Sequence, residues 1–246
     1  MPARSPAPPA APTAEARALV LEVHARLAQA FGAPIPYFHA LPPLDELVSS
    51  LLSHRTKNAD SGRAFKTLRA RFPSWEAVRD APVAEVEAAI SAATWPEAKA
   101  PALQRTLRAI TEKAGHLTLE PIDGLDDREA QDWLLALPGV GPKTAAAVLS
   151  FSILRRRALP VDSHHHRVAI RLGLIPAKLA VGPSHAVLEA QLPAEWDAQA
   201  VYDNHEVLML HGQHRCHFQG PKCRGCVLLD LCPDGARRLG LETEAA

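Results

Sequence analysis

The chain is poor in aromatic residues, with six Phe, four Trp and two Tyr among 246 residues. It has no run of alternating apolar and polar residues of convincing strand length, which argues against a sheet-based core. No apolar stretch reaches the length of about 18 residues that a membrane-spanning helix requires. The N-terminus lacks the apolar core of a secretion signal. Cysteine is scarce as well: there are four, all within residues 216–232. Clustered thiols without a secretion signal point to a reducing cytoplasm. Net charge is absent, with 27 basic residues against 27 acidic ones. What remains is a chain that is 47% hydrophobic, punctuated by 22 Pro and 13 Gly. That composition implies an all-α protein of one large or two small domains.

The zero balance conceals a segregated pattern. Residues 53–72 hold Arg55, Lys57, Arg63, Lys66, Arg69 and Arg71 against Asp60 alone. Residues 137–178 hold Lys143, Arg155, Arg156, Arg157, Arg167, Arg171 and Lys178 against Asp162. Acids concentrate in 120–132 and 189–206. Such a pattern permits a positive face on a neutral protein; basic side chains that merely solvate helix faces are the alternative.

Along the chain, the proline-rich residues 1–13 read as a disordered tail. Residues 14–31 place Leu19, Val20, Val23, Leu27 and Phe31 on one face of a first helix. After a connector rich in proline, Asp45 is placed to cap a helix through 44–56. Helix-length segments follow, bounded by Pro73, Pro82, Pro96, Pro101, Gly115 and Pro121.

LPGVGPK (137–143) lies between two apolar helical runs. Gly139 and Gly141 permit positive φ and close backbone approach, and Pro142 suits the first position of a helix. The reading is a helix–hairpin–helix whose backbone N–H groups form an anion site for a DNA phosphate, with Leu137, Gly139, Val140 and Gly141 as its residues. A plain turn between helices is the alternative. Lys143 follows in the first turn, where the helix dipole disfavours a cation. There it serves either as an amine of lowered pKa or as a phosphate contact. Asp162 precedes SHHHR and reads as a helix N-cap; in a DNA-binding cleft its ionised carboxylate could also stabilise cationic charge on a sugar. The three histidines face different ways on a helix and do not make a metal site.

Cys216, Cys223, Cys226 and Cys232 are spaced C-x6-C-x2-C-x5-C. A single CxxC with two flanking cysteines suits one compact loop around a [4Fe-4S] cluster. A tetrahedral zinc site and disulfides are the alternatives.

The glycine hairpin with Lys143, the VDSH turn with Asp162 and the cysteine loop, in that order, resemble the endonuclease III family of helix–hairpin–helix DNA glycosylases. LLSHRTKN (51–58) is similar to that family's LLSAQATD, and LMLHGQHRC (208–216) to its LILHGR…C. The resemblance implies a six-helix domain over 40–156 and a cluster domain made of 14–39 with 157–240, with DNA between them. It implies base flipping, attack by Lys143 on C1′, β-elimination through a Schiff base, and Asp162 as electrostatic stabiliser. The implied activity is that of a bifunctional DNA glycosylase and abasic-site lyase acting on oxidised pyrimidines in double-stranded DNA, as a monomer. A monofunctional glycosylase and a non-catalytic damage sensor are the alternatives. Arg55 stands where the family has a gap-filling Gln, preceded by His54 in place of Ala. Thr94-Trp95-Pro96 replaces a Gly-Leu-Tyr segment, which makes Trp95 a candidate wedge. His164 and Lys222 complete the expected DNA contacts.

Overall fold

A computed structural model describes residues 11–241, which form twelve α-helices and no strand among the described residues. In chain order the helices are α1 (Ala14–Phe31), α2 (Pro43–Ser53), α3 (Asn58–Arg71), α4 (Trp75–Asp80), α5 (Val83–Ala89) and α6 (Pro96–Ala114). They continue as α7 (Asp127–Leu135), α8 (Pro142–Phe151), α9 (Ser163–Leu172), α10 (Val181–Gln191), α11 (Ala198–His214) and α12 (Pro233–Leu239). Most of the expected tail, residues 1–10, lies outside the described residues. Thr13, expected within it, is instead the N-cap of α1, its hydroxyl accepting from the Ala16 N–H at 3.1 Å.

The chain divides into two compact units, residues 37–156 and the residues up to 36 together with those from 157 on. Residues 37–39 therefore go with the first of these rather than with α1. The reason is local: Phe38 stands edge-on to Phe151 with ring centroids 5.2 Å apart. Arg155 covers the Tyr37 ring at 3.6 Å and donates to the His39 carbonyl at 2.5 Å.

The central unit carries α2 to α8, seven α-helices rather than six, because Pro82 separates two short ones, α4 and α5. Helix α2 buries Leu47, Val48 and Leu52 against α8 and α3. All residues of α8 from Thr144 to Phe151 are buried, so this mostly apolar helix is covered all round, as a central helix must be. Its three consecutive alanines let neighbouring helices come close. Gln104 on α6 donates to the Val78 and Ala81 carbonyls at 2.8 and 2.7 Å, tying down the end of α4. Asp45 does not cap α2. It lies within the first turn and accepts from the Trp75 indole N–H at 2.6 Å. The helix also stops at Ser53, short of 56, because Arg55 turns left-handed at φ +51°.

In the terminal unit Val20, Val23 and Leu27 of α1 share a core with Leu159, Val168, Leu172, Leu188 and Val207. Asp203 on α11 accepts from the Ile35 N–H at 2.9 Å and so anchors the connector after α1. Helix α9 ends at Gly173, left-handed at φ +78°, as glycine at that position allows.

Candidate functional site

The hairpin before α8 has the marks of a type II turn: Pro138, then Gly139 at φ +80°, with the Val140 N–H donating to the Leu137 carbonyl at 3.2 Å. The Thr106 hydroxyl anchors it through the Pro138 carbonyl at 2.8 Å. Leu137 and Val140 are buried. Their side chains hold the turn in the core, while Pro138 and Gly139 between them are exposed. Gly141 is not left-handed: it is the N-cap of α8 at φ −100° and supplies no side-chain cap. The space where its Cβ would stand is open. The first turn of α8 therefore offers backbone N–H groups that no capping side chain takes.

Lys143 is half-buried in that first turn. His54, at the end of α2, comes to the same place. Its Nε2 lies 2.9 Å from the Thr144 hydroxyl, although the residue as a whole is exposed. Loss of hydration at the ring, and then the positive charges of Lys143 and Lys99, push the His54 pKa below its ordinary value. The imidazole is thus neutral beside the lysine at neutral pH. Nothing in the sequence reading singled out His54 beyond its being a departure from Ala.

Arg55 and Trp95 are brought together. The Arg55 guanidinium lies 5.8 Å from the centroid of the Trp95 ring, and Trp95 is 49% exposed, so it is not a core residue. Both have left-handed backbones, at φ +51° and +55°.

In the terminal unit Asp162 is the N-cap of α9, its Oδ1 accepting from the His165 N–H at 2.7 Å. The three following histidines diverge. His164 Nδ1 lies 3.2 Å from the Arg167 guanidinium. His165 is buried with its Nδ1 3.4 Å from His205 Nδ1. His166 meets the Leu179 carbonyl at 2.8 Å.

The four cysteines line one cavity, together with Arg171 and Leu172, with an empty volume of about 400 Å³ that opens to solvent. They are free thiols, with no disulfide between them. Donors are aimed at three of the sulfurs: the Arg171 guanidinium at Cys216 (3.1 Å), the Leu228 N–H at Cys226 (3.5 Å) and the Gly235 N–H at Cys232 (3.3 Å). Burial pushes the Cys226 and Cys232 thiols up, and the neighbouring cysteines add to this. Among the described residues, no group of three or more His, Cys, Asp or Glu side chains is drawn together as around a single bound ion. Lys222 stands exposed on this loop.

Four arginines of 137–178 are engaged by backbone carbonyls. Arg156 donates to the Ile122, Asp123 and Leu125 carbonyls, each at 3.0 Å. Arg157 holds the Trp196 and Pro193 carbonyls, Arg167 those of Gly212 and Cys216, and Arg171 those of His217 and Phe218. These arginines fasten loops whose carbonyls would otherwise lack donors. In 53–72, Arg63 pairs with Asp60 and Arg69 covers the Trp75 ring.

A family model described as HhH-GPD superfamily base excision DNA repair protein matches residues 48–196. Endonuclease III of Bacillus subtilis (strain 168) is 32% identical over 197 residues, 80% of this chain and 83% of that protein. Endonuclease III of Escherichia coli (strain K12) is 30% identical over 212 residues, 86% and 93% of the two chains. A candidate DNA glycosylase of Arabidopsis thaliana is 34% identical over 170 residues; these are 69% of this chain, which spans 56% of the length of that plant protein. The solved structure of a non-covalent endonuclease III–DNA complex superposes with a TM-score of 0.77 at 25% identity, covering 91% of this chain and 98% of that one.

Proposed function

The chain belongs to the HhH-GPD superfamily of base excision DNA repair proteins, and from that membership we propose that it is a DNA glycosylase with abasic-site lyase activity, removing oxidised pyrimidines from duplex DNA. The observation that carries the lyase half is Lys143 itself. It is an amine in the first turn of a helix that begins behind a backbone-presenting hairpin, beside a neutral imidazole. Backbone N–H groups at such a helix start hold a phosphate, and the amine then lies within reach of the sugar.

In this reading Lys143 Nζ attacks C1′ of the extruded nucleotide as the glycosidic bond breaks, and the base leaves with its bonding electrons and takes up a proton. The sugar ring opens as O4′ gains a proton and the amine nitrogen loses one, leaving an iminium at C1′. Loss of a C2′ proton then expels the 3′-phosphate. Asp162, held at the start of α9 by its cap bond to His165, stabilises the cationic sugar. Arg55 and Trp95 fill the gap in the stack, and Lys222 and the hairpin backbone bind phosphates.

The cysteine loop fits a [4Fe-4S] cluster ligated by Cys216, Cys223, Cys226 and Cys232. Four thiols share one cavity, burial of Cys226 and Cys232 penalises their unliganded thiolates, and N–H donors already point at three of the sulfurs. Bound there, the cluster supplies ligation energy that holds the 216–232 loop in shape. The test of the enzymatic reading is borohydride trapping on a duplex with an abasic site: a lyase yields a covalent protein–DNA adduct and a nicked strand, and a binding protein yields neither.

A further inference from the structure

Lys99 has no part in the chemistry described so far, yet its ammonium is fully engaged. Standing half-buried in the first turn of α6, its Nζ donates to the Leu52 carbonyl at 3.0 Å, the His54 carbonyl at 2.7 Å and the Thr56 hydroxyl at 2.6 Å. Three acceptors satisfy the three protons of an ammonium. The two carbonyls belong to the C-terminal end of α2, where the helix dipole favours a cation. The Thr56 hydroxyl in turn accepts from the Thr94 N–H at 3.1 Å. One ammonium and one hydroxyl thus join segment 52–56 to segment 94–99.

The two residues flanked by these ties, Arg55 and Trp95, are left-handed. Among the described residues the only other non-glycine residue with positive φ is Arg155. A left-handed backbone is unfavourable for side chains of this size and persists where the surroundings over-determine it. Core packing does not ask for it here, since both side chains are exposed. Its effect is to set a guanidinium over an indole at the surface.

We propose that Lys99 is a positioning residue which, with Thr56, holds Arg55 and Trp95 as a preformed wedge for the gap that a departing base leaves in duplex DNA. The proposal rests on the glycosylase reading above. The chemistry of the pair suits that occupant: an indole face stacks on unpaired neighbours without regard to sequence, and a guanidinium donates to the edge of the orphaned base. A wedge set in advance avoids the ordering cost that a floppy one would meet at the moment of unstacking.

The test compares wild type, Lys99→Met, Thr56→Val and the conservative Lys99→Arg on two duplexes. One carries dihydrouracil paired with adenine, the other a ready-made abasic site. A third duplex, with aminopurine opposite a non-cleavable abasic analogue, reports wedge entry by fluorescence. Expected for Lys99→Met is a fall of about tenfold in dihydrouracil excision, with abasic-site cleavage within about twofold of wild type and a diminished aminopurine signal. Thr56→Val, which keeps the lysine, should move the same ratio in the same direction, and Lys99→Arg should recover most of it by holding the carbonyls. If wild type excises but Lys99→Met and Thr56→Val leave the ratio and the aminopurine signal unchanged, the role of Lys99 is overturned while the glycosylase reading stands. A wild-type protein that neither binds nor cleaves any of the duplexes overturns the reading and the wedge with it.

Discussion

Gly212 on α11 lies so close to His164 on α9 that a Cβ at position 212 would stand 2.8 Å from the His164 Cβ and 3.1 Å from its carbonyl oxygen. Neither atom is the far end of a flexible side chain, so the two helices must part if Gly212 becomes alanine. The shift falls two residues from Asp162. Overpacking of this kind costs about 1–3 kcal/mol, and for a chain of this size each kcal/mol lowers the melting temperature by roughly 2–4 °C. Gly212→Ala should therefore melt earlier and lose activity beyond its loss of folded protein. A melting curve and rate equal to wild type would mean that the start of α9 has slack to move.

Asp162 is both the cap of α9 and the proposed stabiliser of cationic sugar, and two substitutions separate these roles. Asn caps as well as Asp, so Asp162→Asn should melt as wild type and lose activity. Asp162→Ala should in addition lose about 1 kcal/mol of stability. An active Asp162→Asn would leave this residue with the cap alone.

His165 makes acid stability testable. Burial, and then the nearby His205, lower its pKa to about 3 from the ordinary 6.5. The folded state therefore refuses a proton that the unfolded chain accepts. The stability this group contributes is fully present above the unfolded value of 6.5 and declines as pH falls toward about 3. The slope is about 1.4 kcal/mol per pH unit. Chemical denaturation between pH 7 and pH 4 should show this decline. His165→Gln should flatten it, whatever that substitution does to stability at neutral pH; an unchanged slope would assign acid sensitivity to other groups.

The cysteine loop is open to a spectroscopic check. With the cluster bound, the protein should be yellow-brown with broad visible absorbance. Cys226→Ser should bleach it and render 216–232 sensitive to protease, since ligation energy there is folding energy. A colourless wild type carrying one zinc per chain would replace the cluster by a zinc site.

Local signals in the sequence carried further than distant ones. Periodicity delimits α1 at 14–31 and turn chemistry marks the Leu137–Val140 hairpin, because both depend on neighbours along the chain. The cysteine spacing indicates one shared site for the same reason. What stayed hidden depends on partners far away in sequence. The basic residues of 137–178 read as surface charge, yet Arg156 reaches carbonyls about 31–34 positions away. A carbonyl acceptor leaves no trace in residue identity. The left-handed Arg55 and Trp95, and the lysine that joins their segments, follow no propensity rule, since nothing local favours positive φ at a bulky residue.

Lys143 decides between chemistry and anchoring. If it is the nucleophile, Lys143→Gln should abolish base release, strand nicking and the borohydride adduct, while duplex binding stays within a few fold of wild type. The amine is needed for the bond to C1′, whereas the Gly139 and Gly141 backbone proposed to hold phosphate is untouched. If Lys143 only meets a phosphate, the substitution should instead weaken binding by about 1 kcal/mol and make it less salt-dependent, by roughly one unit of log–log slope, with turnover at saturating DNA unchanged. Gel shift at several salt concentrations and single-turnover nicking on the same duplex measure both quantities. An adduct formed by Lys143→Gln at the wild-type rate would place the nucleophile on another amine and remove Lys143 from the mechanism.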